Sequence, residues 1–403
     1  MQKMNDMDHR KLGKKLELFM FSELSPGMAF WLPQGAKLKN NLKDIIYKSH
    51  LMRGYEYVES PAMMEDTMWK ISGHYENYKE NMFPSVVEKR DYLLKPMNCP
   101  MHILMYQNSK KSYKELPIRY FEFGQVHRNE LRGALHGLFR VREFVQDDSH
   151  IICMPDQIEN EILSILDFIK SLLSFFDFEY RIDFSSRPEK SIGSDENWEK
   201  AENSIINALE KAQQKYQLNE GDGAFYGPKI DIKIKDIHKR EWQLGSIQID
   251  FNLPQRFDMK YIDNEGNEKT PVIIHRAIMG SIERFIGILL EHYKGILPIC
   301  ISPNQLAIVP IASNSNSQME FIDKLKKELL VHNINVKVYD SNESLNKRIK
   351  NAEKDKNPLV TVVGDKEVEE NSLNVRDKIN KRNYQCSLDS FITYLKNEMD
   401  III

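Results

Sequence analysis

The densest chemistry in this 403-residue chain lies over residues 119–150, R-Y-F-E-F-G-Q-V-H-R-N-E-L-R-G-A-L-H-G-L-F-R-V-R-E-F-V-Q-D-D-S-H. Phe121, Phe123 and Gln125 alternate with Glu122, Gly124 and Val126, as the arm of a hairpin would, and a loop falls around residues 131–134. The two arms carry Arg128, Glu130, Arg140 and Arg142, more charge than a buried sheet tolerates without partners. Arginines spaced along adjacent strands make a fork for phosphate and carboxylate oxygens, so the chemistry indicated is the handling of an anion. By composition alone a solvated surface hairpin fits as well. A second local candidate is Cys99-x-x-His102, whose spacing suits a zinc ligand pair. No second pair stands nearby, and a closed zinc site needs four ligands.

The elements that must carry these residues follow from periodicity. Residues 9–20 read as a short helix ended by a turn at Ser25-Pro26-Gly27. A helix over 37–52 places Leu38, Leu42, Ile45 and Ile46 on one face and runs into a strand over 55–60, then Pro61. Helices are expected over 157–178 and 197–216, and strands over 229–235, 241–251 and 271–274. A helix over 276–292 then turns Ile278, Ile282, Phe285, Ile286 and Leu289 inward. Strands with interspersed helices, rather than strict alternation, predict an α+β antiparallel sheet with helices. Near residues 298–303 the pattern changes. Strands over 306–311, 334–339, 358–363 and 372–376 alternate with helices over 317–331, 344–354 and 388–400, which predicts a small, mostly parallel α/β domain. Two regions result, 1–300 and 301–403.

Composition narrows the function classes. With 41% hydrophobic and 29% charged residues the chain is an ordinary globular one, long enough for two or three domains. A net charge of −3 gives no global positive field, so a polyanionic partner must be met by local patches. No apolar run approaches the ~20 residues of a membrane span, and the start, M-Q-K-M-N-D-M-D-H-R, has no signal-peptide core. Four scattered cysteines, Cys99, Cys153, Cys300 and Cys386, make no disulfide framework. The expected location is the cytoplasm.

The order of residues adds a resemblance. F-x-x-x-H-R-N-E, followed by R-V-R-x-F and Q-D-D-x-H, resembles motif 2 of the class II aminoacyl-tRNA synthetases, in particular the threonyl branch. It continues through S-G-H-Y-E-N-Y-x-x-N-M-F (72–83), K-P-M-N-C-P (95–100) and R-P-E-K-S-I-G-S-D (187–195). Then come G-A-F-Y-G-P-K-I-D (223–231), W-Q-L-G-S-I-Q-I-D-F (242–251) and H-R-A-I-M-G-S-I-E-R-F (275–285). Helix, strand and proline over 37–61 resemble motif 1, which in this family builds a homodimer interface. Residues 301–403 resemble the anticodon-binding domain, with V-V-G-D-K-E (362–367) and N-V-R (374–376) as its marks.

The resemblance implies an activity: threonine is joined to ATP as an adenylate, pyrophosphate leaves, and the threonyl group passes to the terminal ribose hydroxyl of tRNA(Thr). It implies Cys99, His150 and His275 as ligands of one zinc ion, with a position open for the amino acid, and His102 as a core residue or one behind the ligands. Zinc answers a selectivity problem, because shape separates valine from threonine only by roughly 10–200-fold. Asp148 would accept the threonine hydroxyl hydrogen. Arg128 would bridge carboxylate and α-phosphate, Glu130 would read the adenine amino edge, Phe144 would stack beneath the ring, and Arg284 would cover its other face and reach the terminal phosphates. Arg140 is a further phosphate candidate, magnesium accompanies ATP, and Glu283 is either its ligand or a helix-surface acid. Gln146, Tyr226, Lys229, Gln243 and Gln248 would line the amino acid and adenylate pocket. His74, as an unperturbed imidazole, would help deprotonate the ribose hydroxyl. Glu367 and Arg376 would read anticodon bases, or equally form one surface ion pair.

Some positions depart from the family. Met101 and Glu143 stand where glycine is usual, Leu131-Arg132 where Pro-Ser is common, and Leu244 where a small residue is usual. Glu143 is the least comfortable, a carboxylate next to the adenine stacker Phe144. The chain opens at the helix that follows the editing region of bacterial relatives, so no editing in cis is expected.

Overall fold

The computed structural model describes residues 6–403 apart from His238, and the Asn77 side chain is set aside. Backbone contacts divide the chain into two units. One comprises Ser25–Met28, His50–Phe285 and Ile403; the other comprises Met1–Leu24, Ala29–Ser49 and Ile286–Ile402.

The first unit is built on an eight-stranded sheet. Its strands, in chain order, are β1 (Glu56–Tyr57), β2 (Ile118–His127), β3 (Glu143–Cys153), β4 (Tyr180–Ser185), β5 (Tyr216–Asn219), β6 (Lys229–Lys235), β7 (Glu241–Asp250) and β8 (Val272–Ala277). They lie in the order β5-β4-β6-β7-β8-β3-β2-β1. The two outermost pairs are parallel and every inner pair is antiparallel, as the α+β reading expects. One face of β2, β3 and β8 is covered by the helix Cys99–Gln107. Ile103 and Tyr106 of that helix pack with Ile118, Ile152 and Ile273 of the sheet. Three such side chains, nearly free of solvent, each contribute about 1.5–3 kcal/mol and fix where Cys99 stands. The helices Ile158–Phe175 and Asp195–Lys211 bury apolar stripes that include Ile162, Ile165, Leu166, Ile169, Trp198 and Ala201.

The second unit contains a five-stranded sheet in the order Val336–Val338, Leu306–Pro310, Leu359–Val363, Ser372–Asp377, Arg382–Ser387. The first three strands are parallel and the last two antiparallel, so the sheet is mixed rather than mostly parallel. The strand at 382–387 is a largely exposed edge in which only Tyr384 and Cys386 turn toward the core, too short an apolar pattern to mark a strand.

Other boundaries moved for local reasons. The expected helix over 9–20 ends at Lys15, because Glu17 adopts a left-handed conformation (φ 53), and Phe19–Ser22 and Ser25–Trp31 are strands. The helix expected over 276–292 begins only at Ile282. Strand β8 runs to Ala277, and Gly280 (φ 73) turns the chain where an added Cβ would strike the Leu244 carbonyl. All four cysteines are free thiols. Among the described residues no helix is long and apolar enough to cross a membrane.

Candidate active site

Period two makes β3 the backbone of the site. Phe144, Gln146, Asp148 and His150 occupy alternate positions and therefore share one face, while Glu143, Val145, Asp147 and Ser149 share the other. Register brings the neighbours alongside: His150 pairs with His275 of β8, and His275 with Gln248 of β7. The result is a cavity of about 760 Å³ lined by Arg128, Glu130, Arg140, Phe144, Gln146, Asp148, Tyr226, Gln243, Gln248 and Arg284, with Cys99, His150 and His275 at its wall. The structure thus brings together thirteen residues singled out in the sequence.

At the Cys99 wall, one ligand atom each from Cys99, His150 and His275 lies within 4.8 Å of the others. The two imidazoles stand nearly perpendicular, 4.8 Å between centroids. His275 Nε2 lies 3.0 Å from Asp250 Oδ2, which leaves Nδ1 as its other nitrogen. His150 Nδ1 lies 2.8 Å from His102 Nδ1, which leaves Nε2. One sulfur and two imidazole nitrogens are a borderline-soft set that suits zinc, and three protein ligands leave a position open. The thiol supports the fit: burial, then Asp148 and Asp250, push Cys99 well above the usual range, so only a bound cation would stabilise its thiolate. Asp148 accepts a hydrogen bond from Asn98 Nδ2 (2.8 Å), and burial raises its carboxyl. Asn98 lies against Gly124, where a Cβ would overlap its carboxamide, so glycine in F-E-F-G lets Asn98 reach Asp148.

At the other wall the guanidinium groups of Arg128, Arg140 and Arg284 converge. Burial, with Arg140 and Arg128 near it, lowers Arg284. Arg284 is aimed by hydrogen bonds to the carbonyls of Phe139 (3.1 Å) and Gln243 (3.0 Å), and Arg128 by one to Pro96 O (3.3 Å). Arg128 also lies 5.2 Å from the Phe144 ring centre, and Arg140 pairs with Glu130 at 3.1 Å. Behind this wall, buried Asp147 accepts the Ile278 and Met279 amides (2.9 and 3.0 Å) and faces Arg276 at 3.7 Å, tying the turn before Arg284 to β3. Burial pushes the Asp147 carboxyl up to about 6, opposed by Arg276 and the two amides.

Other candidates are placed differently. His74 does not line the large cavity; it borders a small one of about 20 Å³ with Cys99, Tyr226 and His275. Its Nδ1 meets Ser72 Oγ at 2.7 Å and its Nε2 lies 3.9 Å from Cys99 Sγ. Burial lowers it to about 4, so it is not the unperturbed imidazole expected. Lys229 pairs with Asp231 (3.0 Å) and Asp222 (3.6 Å) and is not among the residues lining the cavity. Glu283 is neither a helix-surface acid nor open to a metal: it is buried and accepts the Val145 amide at 2.8 Å. Glu143 points to the face opposite Phe144 and meets His127 at 3.1 Å, so its charge does not oppose a nucleotide there. Met101 fills an apolar cluster with Trp69, Met82 and Leu93.

In the second unit Glu367 and Arg376 do not pair with each other. Glu367 is buried and accepts the Gly364 amide and Asn374 Nδ2, both at 2.9 Å. Arg376 is exposed and pairs with Glu353. Sequence reading missed Tyr78, Met97, Phe139 and Trp242, which also line the large cavity. Phe139 and Trp242 flank proposed residues, Arg140 and Gln243, and that adjacency was the available signal.

Comparison with known proteins agrees. Residues 83–293 match the model of the tRNA synthetase class II core domain (G, H, P, S and T), and residues 305–398 that of the anticodon binding domain. Threonine--tRNA ligases from Campylobacter lari and Nautilia profundicola are each 51% identical, over 393 and 402 residues, covering 97% and 98% of this chain. The chain spans 65% of the length of each. A crystal structure described as the RNA binding domain of threonyl-tRNA synthetase from Cryptosporidium parvum superposes with a TM-score of 0.93 at 41% identity, covering 97% of this chain and 98% of that one. With its core model, its anticodon-binding model and its nearly full-length structural match, the chain belongs to the class II tRNA synthetase family, in the threonyl branch.

Proposed function

We propose that the chain is a threonine–tRNA ligase, activating L-threonine with ATP and passing it to tRNA(Thr). The observation that carries this reading is a single cavity with a Cys-His-His cluster on one wall and three arginines on another. The reading assigns residues 1–300 to catalysis and 301–403 to anticodon binding.

In the first step a threonine carboxylate oxygen attacks the α-phosphorus of ATP, and the bond to the pyrophosphate oxygen breaks. No acid or base is required, so the protein contributes alignment and positive charge. Arg128 spans carboxylate and α-phosphate, and Arg284 and Arg140 face the departing phosphates, whose charge a magnesium ion carried with ATP would share. Glu130, released from Arg140, takes the adenine amino group, and the ring stacks on Phe144. A zinc ion held by Cys99, His150 and His275 would offer its open position to the amino and hydroxyl groups of threonine. Asp148, steadied by Asn98, accepts the hydroxyl hydrogen, while Gln146, Gln243, Gln248 and Tyr226 enclose the remainder, with Lys229 behind them. In the second step the terminal ribose hydroxyl attacks the adenylate carbonyl and AMP leaves, and we assign His74 as acceptor of that hydroxyl's proton. Arg376 meets an anticodon base, beside a loop that Glu367 steadies. Motif 1 leads us to a homodimer, which sedimentation checks.

Amino acid-dependent ATP–pyrophosphate exchange tests the reading, with threonine, serine and valine in parallel. The expected order is threonine, then serine, which lacks only a methyl worth about 1–3 kcal/mol, and no exchange with valine. Zinc-loaded, folded protein silent with all three would make it a non-catalytic relative.

A further inference from the structure

The two histidines of the Cys-His-His cluster are braced in different ways. His275 meets the Asp250 carboxylate directly. His150 meets another histidine, His102, across 2.8 Å between their Nδ1 atoms, with the rings 89° apart. His102 Nε2 in turn lies 3.3 Å from Glu122 Oε1, an approach too oblique to count as a formed hydrogen bond. Glu122 is anchored further back by the Ser60 amide (3.1 Å), the Ser60 hydroxyl (2.7 Å) and Lys95 Nζ (3.4 Å). His102, His150, Glu122 and Lys95 are each no more than 3% exposed.

A buried polar chain of this length is costly as mere packing. Apolar side chains of the same volume would be as stable or more so. Its geometry suits a different task. Two Nδ1 atoms at 2.8 Å share one hydrogen, so one imidazole donates and the other accepts. If His150 gives its Nε2 lone pair to a metal, its hydrogen must sit on Nδ1, and His102 Nδ1 must accept it. The hydrogen of His102 then sits on Nε2, facing Glu122. The carboxylate, held by Lys95 and Ser60, favours that arrangement electrostatically, so a single tautomer runs through the chain. The Cys99-x-x-His102 spacing gains an explanation. Positions i and i+3 share a face of the helix Cys99–Gln107, so one helix presents a ligand and the brace of another ligand together.

We propose that His102, backed by Glu122, Lys95 and Ser60, is a positioning residue that holds His150 with Nε2 presented to the zinc ion. The inference rests on the zinc-dependent reading above. Zinc affinity, measured by chelator competition on the purified protein, tests it apart from activity. His102→Phe removes the acceptor for His150 Nδ1 and is expected to bind zinc about 10–100-fold more weakly. His102→Asn, whose Oδ1 reproduces the position of Nδ1, is expected to recover most of that loss. Glu122→Gln should weaken binding less than His102→Phe. The threonine KM of His102→Phe should rise at limiting zinc and return toward wild type when zinc is in excess, which a merely structural defect would not do. Nitrogen-15 spectra of the zinc-loaded wild type need no variant: they should show hydrogen on Nδ1 of His150 and Nε2 of His102. Hydrogen on Nδ1 of His102, or an unchanged zinc affinity in folded His102→Phe while Cys99→Ala loses zinc, overturns the brace alone. Wild-type protein that binds no zinc overturns the zinc reading with it.

Discussion

The two regions that carry candidate binding residues treat their charges differently. In the large cavity, Arg128 donates to one carbonyl and lies on an aromatic face, and Arg284 donates to two carbonyls. These contacts are to carbonyls and a ring rather than to a carboxylate, and Glu130, which lines the same cavity, is paired with Arg140. In the second unit Glu367 has two donors on its carboxylate and Arg376 has Glu353. The contrast teaches that a site built for an anion keeps converging cations whose Coulomb energy is completed by ligand, whereas a charge completed by its own fold acts chiefly on stability. Substitutions in the two regions should therefore separate activity from stability.

The largest effect is expected in the cavity. Arg128→Ala and Arg284→Ala should each lower threonine-dependent pyrophosphate exchange by about 10²–10³-fold, as the loss of one preorganised transition-state donor does. Melting temperatures should hardly move, because relieving repulsion among three arginines offsets the lost carbonyl hydrogen bonds. Exchange that falls only in step with stability would break the comparison. Cys99→Ala comes next and acts on selectivity. Without its sulfur the cluster drops to two imidazoles, and threonine should be favoured over valine by no more than the roughly 10–200-fold that shape supplies. Competition between the two amino acids in the exchange assay measures it, and undiminished discrimination would remove the metal from the argument.

Much of this site could be read in the sequence because it lies on one strand. Phe144, Gln146, Asp148 and His150 are every second residue of β3, so period two alone puts them on one face, and it also turns Glu143 away from Phe144. What period two cannot give is register between strands distant in sequence. His150 and His275 are paired by β3 and β8, and no local spacing relates them; the family pattern did. The same limit explains Glu283, whose place just before Arg284 left a magnesium ligand and a helix-surface acid equally open, while its partner, the Val145 amide, lies on a strand distant in sequence. For His74 the sequence could not show the burial that lowers it to about 4, because burial is a tertiary property. In the second unit each strand and helix expected between 306 and 400 has its counterpart, through Ser372–Asp377 and Leu388–Met399. The edge strand Arg382–Ser387 was not expected, since only Tyr384 and Cys386 turn inward there and two such positions are too few to signal a strand.

The second unit should show smaller effects, and of two kinds. Arg376→Ala removes an exposed guanidinium whose ion pair with Glu353 contributes little to stability. Its loss should leave threonine activation intact and weaken tRNA(Thr) charging by roughly tenfold, the size of one Arg–base contact. Transcripts with altered anticodons, assayed alongside, show whether discrimination is what was lost. Equal charging of all of them by wild type would place recognition elsewhere.

Glu367→Gln is the opposite case and the smallest. Burial pushes the Glu367 carboxyl up, but the Gly364 amide and the Asn374 side chain outweigh it and hold the carboxyl below its usual range. A carboxyl depressed in the folded state stabilises the fold above its unfolded pKa, and that stability is lost as pH falls through the folded value. Glutamine offers one acceptor where glutamate offers two, so the variant should be less stable at pH 7 by about 1 kcal/mol. As the medium is acidified below the ordinary glutamate range of about 4.3, wild type loses the same contribution and the two melting curves should converge. A gap that stays constant from pH 7 to acid would mean that the carboxylate's charge does not hold this loop. Glu367 would then return to the residues free to meet RNA.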